Sequence, residues 1–558
     1  MRKEKIYDAA IVGSGASGGL AAKVLAEKGM EVIVLEAGPP VDPARDFKSH
    51  TPPWEMAYRG ARPPEVRQTQ WNQTVANEYN SHFYVKDTEH PYTTDPGKPF
   101  VWIRSRIVGG KTLHWGRLSW RLSPYDFKAG SHDGYGDDWP IAYEDLAPYY
   151  DKAEGFIGVS GSAEGLKQLP DGNFLPPMPP SCQEVIFRKA AGRAGLRAIP
   201  MRAAMLTRPL KGQPHRAPCH YCGHCSHGCD VNAMFSSISS TLPAAEATGK
   251  YTLRPNSIVR KVLVDSNTGK ARGLSVVDRE TRQDFEIAAK TVVLGASTLE
   301  STRILLNSKN AQHPNGLGNS SGALGHYLMD HFGGIGITGF LPMFKGAEIT
   351  NTDGKATGTY IPRFRNLDER HPDFIRGYGF EAWSFGAQGF PWFANSVPGF
   401  GAAFKEEVKR RYPALVSFTT RAEMLARYEN RVSIDPEVKD RWGIPVLRFS
   451  CAHGDNERKM AQDALAKAHE IMAAAGAEVL WVDDEMTAPG VIIHELGTCR
   501  MGDDPESSVL NRFNQAHDVK NLFVVDGGCF VSSACQNPTL TILALAWRAC
   551  DYLADEFR

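Results

Sequence analysis

The stretch Ile6–Gly38, IYDAAIVGSGASGGLAAKVLAEKGMEVIVLEAG, decides the fold. It reads strand, glycine turn, helix, strand. Ala9 to Val12 is a short apolar strand, and Gly13, Gly15 and Gly18 form G-x-G-x-x-G. Leu20 to Lys28 has helical spacing, Gly29 ends that helix, and Glu31 to Leu35 is a second strand. An acid, Glu36, follows about 20 residues after the glycines, where a dinucleotide site needs one. Gly13 allows the tight turn, Gly15 lets a pyrophosphate approach the backbone, and Gly18 lets helix and strand pack closely. The phosphates then sit on the free N–H groups of a helix N-terminus, and Glu36 is expected to take both ribose hydroxyls.

Working outward, 558 residues are enough for two to four domains. Lys plus Arg equals Asp plus Glu at 63 each, so no net charge favours nucleic acid or an acidic membrane surface. No run approaches the about 18 apolar residues of a spanning helix. MRKEK leads straight into the first strand with no apolar signal, so on its own sequence the chain is expected to be cytoplasmic.

Pro39 to about Phe100 reads as loop, with an extended aromatic stretch near Asn77 to Val85. Phe100 to Ser123 is dense in Gly, Trp and basic residues. Helices are expected at Ile141–Glu154, at Ser181–Gly195 and from the end of the cysteine loop to Ala247. Antiparallel strands are expected at Ser257–Val264 and Lys270–Val277. Ala289–Leu294, then GAS, then Thr298–Leu306 makes a second strand–glycine–helix unit, VVLGASTLESTRILL. From about Phe332 to Val482 the chain turns aromatic, with extended runs and a long helix at Asp455–Ala474. A strand at Leu522–Val525 and an apolar helix at Thr539–Leu553 follow.

Four of the ten cysteines lie in APCHYCGHCSHGCDVNAM, which gives C-x2-C-x2-C-x3-C at Cys219, Cys222, Cys225 and Cys229. Such a cluster in a chain without a signal points to metal rather than to disulfides. The spacing is that of an iron–sulfur run, with Asp230 in place of its usual proline. Zinc is the rival, because His220, His224 and His227 are interleaved with the thiols.

HELGTCRMG from His494, NLFVVDGGCF with Asp526, and CQNPTLTILALA with Asn537 complete the pattern. With GSGASGG and Glu36 they resemble the glucose–methanol–choline (GMC) flavoproteins. The resemblance implies an α/β, Rossmann-like FAD-binding domain of residues 1–45, 95–165, 245–331 and 490–558. It implies an α+β sheet-and-helix substrate domain of 46–94 and 332–489, and a cysteine-rich cluster-binding insertion at 166–244. His494 maps to the family's catalytic histidine and Asn537 to its partner. The residues agree: a neutral His takes a hydroxyl proton near neutral pH, and Asn both donates and accepts.

The FAD site is expected at Gly13, Gly15, Ala16, Gly18, Glu36, Arg106, Gly109, Gly110, His114, Trp115, Gly116, Val259, Ala296, Asp526, Asn537, Pro538 and Thr539. His114, in VGGKTLHWG, lies where some members bond the flavin covalently; non-covalent binding is expected here. The cysteine loop resembles that of bacterial sugar dehydrogenase flavin subunits, glucoside 3-dehydrogenases included, some with a three-iron cluster on three cysteines. Counting back from CDVNAM gives Cys229, Cys225 and Cys219, with Cys222 extra or the fourth ligand of a four-iron cluster. That resemblance implies a sugar or glycoside substrate, a small subunit, a c-type cytochrome, and periplasmic export if the small subunit carries the signal. The competing readings are a non-catalytic or NAD-linked electron-transfer subunit and a zinc-bearing alcohol oxidase.

Overall fold

The computed structural model describes residues 5–348, 357–384 and 390–557. Five parallel strands form its organising sheet, in the order Tyr251–Arg254, Val32–Leu35, Tyr7–Val12, Asp284–Leu294, Leu522–Val524. Residues 9–12 and Val32–Leu35 at its centre are wholly apolar and buried, as a parallel sheet requires. Ala16–Glu27, Thr298–Asn307 and Thr539–Phe557 supply the helices. Asp284–Leu294 belongs to two sheets. Its first half continues an antiparallel meander with Ser257–Val264 and Ala271–Asp278, and its second half enters the parallel sheet.

The glycine turn explains why first strand and helix lie so close. Gly13 has φ +93°, a conformation that strains other residues. A Cβ on Gly18 would collide with the Gly13 carbonyl, and Gly295, of the second glycine turn, packs against Gly18. The helix begins at Ala16, not Leu20, so Gly18 and Gly19 lie inside it and are buried. Burial of this first turn against its neighbours overrides the weak helix propensity of its glycines.

The second sheet runs Glu478–Asp483, Gly336–Phe340, Leu415–Glu423, Tyr378–Ser384, Thr359–Ile361, Ile199–Pro200. Asp455–Ala474 buries Met460, Ala464, Ala468 and Ile471 against it. The segment 166–244 does not stand apart as expected. Cys182–Arg193 packs Phe187, Ala190 and Ala191 into the same core, and Ile199–Pro200 pairs at the sheet's edge. Nor does 332–489 stay with one sheet: Arg431–Lys439 and Pro445–Ser450 pair with each other and pack Val432, Leu447 and Phe449 into the parallel-sheet core.

Asn77–Val85 is not extended. The Asn77 side chain accepts from Tyr79 N–H at 2.9 Å and that of Asn80 from Asn77 N–H at 2.9 Å, which closes turns. The helix expected up to Ala247 shrinks to a 3-10 turn, Ser237–Ser239, and Thr241–Glu246, because Ser236, Ser239 and Ser240 bond local carbonyls and each other instead. Among the described residues no helix is long and apolar enough to cross a membrane.

Candidate active site

A cleft opens along the C-terminal ends of the parallel strands. This is where an open α/β sheet binds ligands. Gly13, Gly15, Ala16, Glu36, Arg106, Gly110, Trp115, Val259, Ala296, Asp526, Pro538 and Thr539 line it, so both ends of the chain meet there. Gly18, Gly109, His114, Gly116 and Asn537 do not. Gly18 and Gly109 support the glycine turn from behind, where Gly109 N–H donates to Ser14 Oγ at 3.0 Å. Gly116 faces outward.

Several features suit a dinucleotide. Gly15 meets nothing nearer than Gly109 O at 4.0 Å on its Cβ side. Arg106 binds Glu300 through Nη2 at 2.8 Å, while its buried Nη1 has no partner. The N-terminus of Thr539–Phe557 opens on the cleft through Pro538 and Thr539. Glu36 is more occupied than the sequence suggests. Its Oε2 accepts from Ser14 N–H and Oγ–H at 3.0 and 2.6 Å, and Oε1 accepts from Gly38 N–H at 2.9 Å. With about four lone-pair sites on a carboxylate, one direct hydroxyl bond remains, not two. Burial raises the Glu36 pKa against these three donors. His114 has both ring nitrogens engaged, Nδ1 with Tyr84 Oη at 3.0 Å and Nε2 with Ser105 Oγ at 2.7 Å. Burial first, then Lys111, pushes its pKa down to about 3.

His494 also lines the cleft and stands at the centre of a chain of contacts. Trp120 Nε1–H donates to Asn537 Oδ1 at 3.0 Å. That leaves Asn537 Nδ2 facing His494 Nε2 at 3.5 Å. On the other side His494 Nδ1 meets His331 Nδ1 at 3.1 Å. Because the Asn537 amide presents its donor, His494 Nε2 keeps its lone pair, and His494 Nδ1–H donates to His331. Burial, then His331, Arg421 and Lys111, hold the His494 pKa well below the ordinary histidine value. Burial and Arg421 bring His331 to about 3. Both rings are therefore neutral near pH 7.

The buried Asp330 carboxylate fixes this histidine's backbone, accepting from His494 N–H at 3.0 Å and Gly490 N–H at 2.8 Å. Burial and Glu495 raise its pKa to about 7. Trp120, Asp330 and His331 were not singled out from the sequence. Trp120 sits in the stretch flagged as Gly- and Trp-rich, but nothing in DHFGG marks residues 330 and 331.

The cysteine loop lies beside the cleft. Cys219, Cys225 and Cys229 pack on Met178, Ala203, Met205, Ala233 and Met234, and so does Trp115, which also lines the cleft. All four thiols are free and partly exposed. Burial raises Cys219 to about 12, the Tyr221 N–H at 3.4 Å opposes this, and Cys225, Cys229 and Cys222 add to it. Burial raises Cys222 and Cys229 too. The buried Nδ1 atoms of His224 and His227 have no partner.

Among the described residues, only Asp330–His331–His494 and His50–His220–Asp230 gather three donor atoms within 4.8 Å of one another.

Residues 11–333 and 426–546 match the two family models described as GMC oxidoreductase. The chain is 32% identical to 2-methyl-1,2-propanediol dehydrogenase of Mycolicibacterium austroafricanum, over 99% of this chain and 95% of that one. It is 29% identical to the fructose dehydrogenase large subunit of Gluconobacter japonicus, covering 99% and 98%. In fold it is similar to the crystal structure of pyridoxine 4-oxidase from Mesorbium loti, with a TM-score of 0.63, 18% identity and 98% of each chain covered.

Proposed function

The chain belongs to the GMC oxidoreductase family of FAD-dependent enzymes acting on alcohols and sugars, and from that premise we propose that it is a sugar dehydrogenase. It oxidises a secondary alcohol of a sugar or glycoside, in the manner of a glucoside 3-dehydrogenase. Cys219, Cys225 and Cys229 would hold an iron–sulfur cluster, which would supply one-electron transfer to an acceptor. The observation that carries this reading is the oriented row Trp120, Asn537, His494, His331, which meets the cleft at His494.

Bound in the cleft, FAD supplies a two-electron hydride acceptor. The chain does the rest. Gly15 and the N-terminus of Ala16–Glu27 receive the pyrophosphate, Arg106 adds positive charge from the cleft wall, and Glu36 orients a ribose. His494 Nε2 takes the proton from the alcohol oxygen, and Asn537 Nδ2 donates to that same oxygen. His331 holds the His494 ring with its lone pair outward. The Thr539–Phe557 N-terminus points N–H groups where negative charge develops. His114 has both nitrogens committed, which supports a non-covalent flavin.

An iron–sulfur cluster supplies one-electron transfer, which an oxidase handing electrons to O₂ does not need. Trp115 packs on the same apolar cluster as Cys219, Cys225 and Cys229 and also lines the cleft. A three-iron cluster leaves Cys222 spare; a four-iron cluster uses it. A small subunit and a c-type cytochrome are the proposed partners, in keeping with a relative that is itself a large subunit. The chain would be cytoplasmic alone and periplasmic when exported with a signal-bearing partner.

Purified protein tests the reading. Anaerobic sugar should bleach the flavin, with a small vicinal diol assayed in parallel because the diol dehydrogenase shares 32% identity. Metal analysis should find three or four irons with acid-labile sulfide. Cys225→Ser should still bleach with substrate yet fail to reduce a cytochrome, and Cys222→Ser keeps the iron only if the cluster has three. Stoichiometric zinc without sulfide would overturn the relay.

A further inference from the structure

We propose that His50, His220 and Asp230 form a surface site for a divalent transition ion of the zinc class, separate from the four thiols. His50 Nε2 lies 2.6 Å from Asp230 Oδ2, and His220 Nε2 lies 3.5 Å from Asp230 Oδ1. One donor atom from each of the three lies within 4.8 Å of the others. The two imidazoles meet edge to face, with ring centroids 5.7 Å apart. Two imidazoles and a carboxylate match the preference of zinc for nitrogen and oxygen donors, with water in the fourth position. Magnesium and calcium prefer all-oxygen sites.

The geometry needs little adjustment. Donors bonded at about 2.0–2.1 Å to a tetrahedral ion stand about 3.3 Å apart. The His220–Asp230 contact is already close to that, and the His50–Asp230 contact must open by less than about 1 Å.

The three residues are also held in place by backbone anchors. Lys48 N–H donates to His227 O at 3.1 Å and Ser49 Oγ–H to Gly228 O at 2.6 Å, which brings residue 50 over the cysteine loop. Asn80 Nδ2 reaches Ser226 O at 3.4 Å, and Tyr79 stacks flat on His227 at 3.8 Å. These contacts divide the loop's histidines. His224 and His227 stay inside the loop, while His220 joins His50 and Asp230 on its outer face. An ion there would tie residue 50 to both ends of the cysteine segment.

Zinc should be titrated into full-length, iron-loaded protein by equilibrium dialysis, with iron release followed. One equivalent should bind, the iron should stay, and magnesium should not compete. Zinc-edge X-ray absorption should show a first shell of nitrogen and oxygen at about 2.0–2.1 Å, with no sulfur at about 2.3 Å. His50→Ala and Asp230→Asn change exposed side chains and should weaken binding by at least about 10-fold, the loss already seen for residues that only support a ligand. No binding at 100-fold excess over protein, a sulfur shell, or unchanged binding in both variants would overturn the site.

Discussion

Replacing His331 by leucine tests the orientation of the catalytic base most directly. His331 accepts from His494 Nδ1 at 3.1 Å and does not itself line the cleft. Leucine leaves that N–H in the protein interior with no acceptor. An unsatisfied buried donor costs about 1–3 kcal/mol. If the whole cost falls on the proton-transfer step, substrate reduction of the flavin slows about 5- to 150-fold, at tenfold per about 1.36 kcal/mol. Flavin content should not change. The pH profile supplies a second readout. His494 works unprotonated, so activity falls below its pKa. Burial and the neighbours His331, Arg421 and Lys111 hold that pKa down, which keeps the acid limb below the ordinary histidine range of about 6.5. Removing His331 takes both an acceptor and a ring contact from His494, so the limb should move. His331→Asn restores an acceptor and should recover part of the rate. Anaerobic stopped-flow at saturating substrate, repeated across pH, measures all three effects. A His331→Leu rate within about twofold of the parent, with an unmoved acid limb, would refute the oriented row; twofold is below the smallest loss that the missing bond allows.

Two further substitutions separate binding from chemistry. His494→Ala should purify with full flavin and turn over about two to four orders of magnitude more slowly, the usual span for a general base; near-normal turnover would remove His494 from the mechanism. Gly15→Leu should give folded protein without flavin, because the new side chain points into open cleft and occupies the pyrophosphate position; full flavin absorbance would show that the phosphates bind elsewhere.

The parts of the site built from neighbouring residues were legible in the sequence. The glycine turn, Glu36 and the Asn537–Thr539 helix start each need only a few adjacent residues, so their chemistry is written locally. Glu36 kept its place but not its full role, since Ser14 and Gly38 take three of its lone pairs. Trp120, Asp330 and His331 escaped for the opposite reason. Their partners lie at residues 490, 494 and 537, and no local spacing reports such contacts. The amphipathic helix at Cys182–Arg193 was legible too, but not that the second sheet covers its Phe187, because that contact is long-range. Serines between 236 and 240 likewise look compatible with helix until their hydroxyls are paired off one by one.

The two-sheet strand Asp284–Leu294 has a consequence for biosynthesis. It pairs with Tyr7–Val12 on one side and Leu522–Val524 on the other. At about 5–20 residues per second, a ribosome that has made Val32–Leu35 needs roughly 25–100 s more to reach Leu522. Throughout that interval the nascent chain has a bare strand edge and lacks the Thr539–Phe557 helix that covers Ala16–Glu27. Asp526, Pro538 and Thr539 are also missing from the cleft wall. Flavin therefore cannot seed the folding of the emerging chain. Its capture waits for the late-translated segment to dock, so nascent-chain protection must come before cofactor loading.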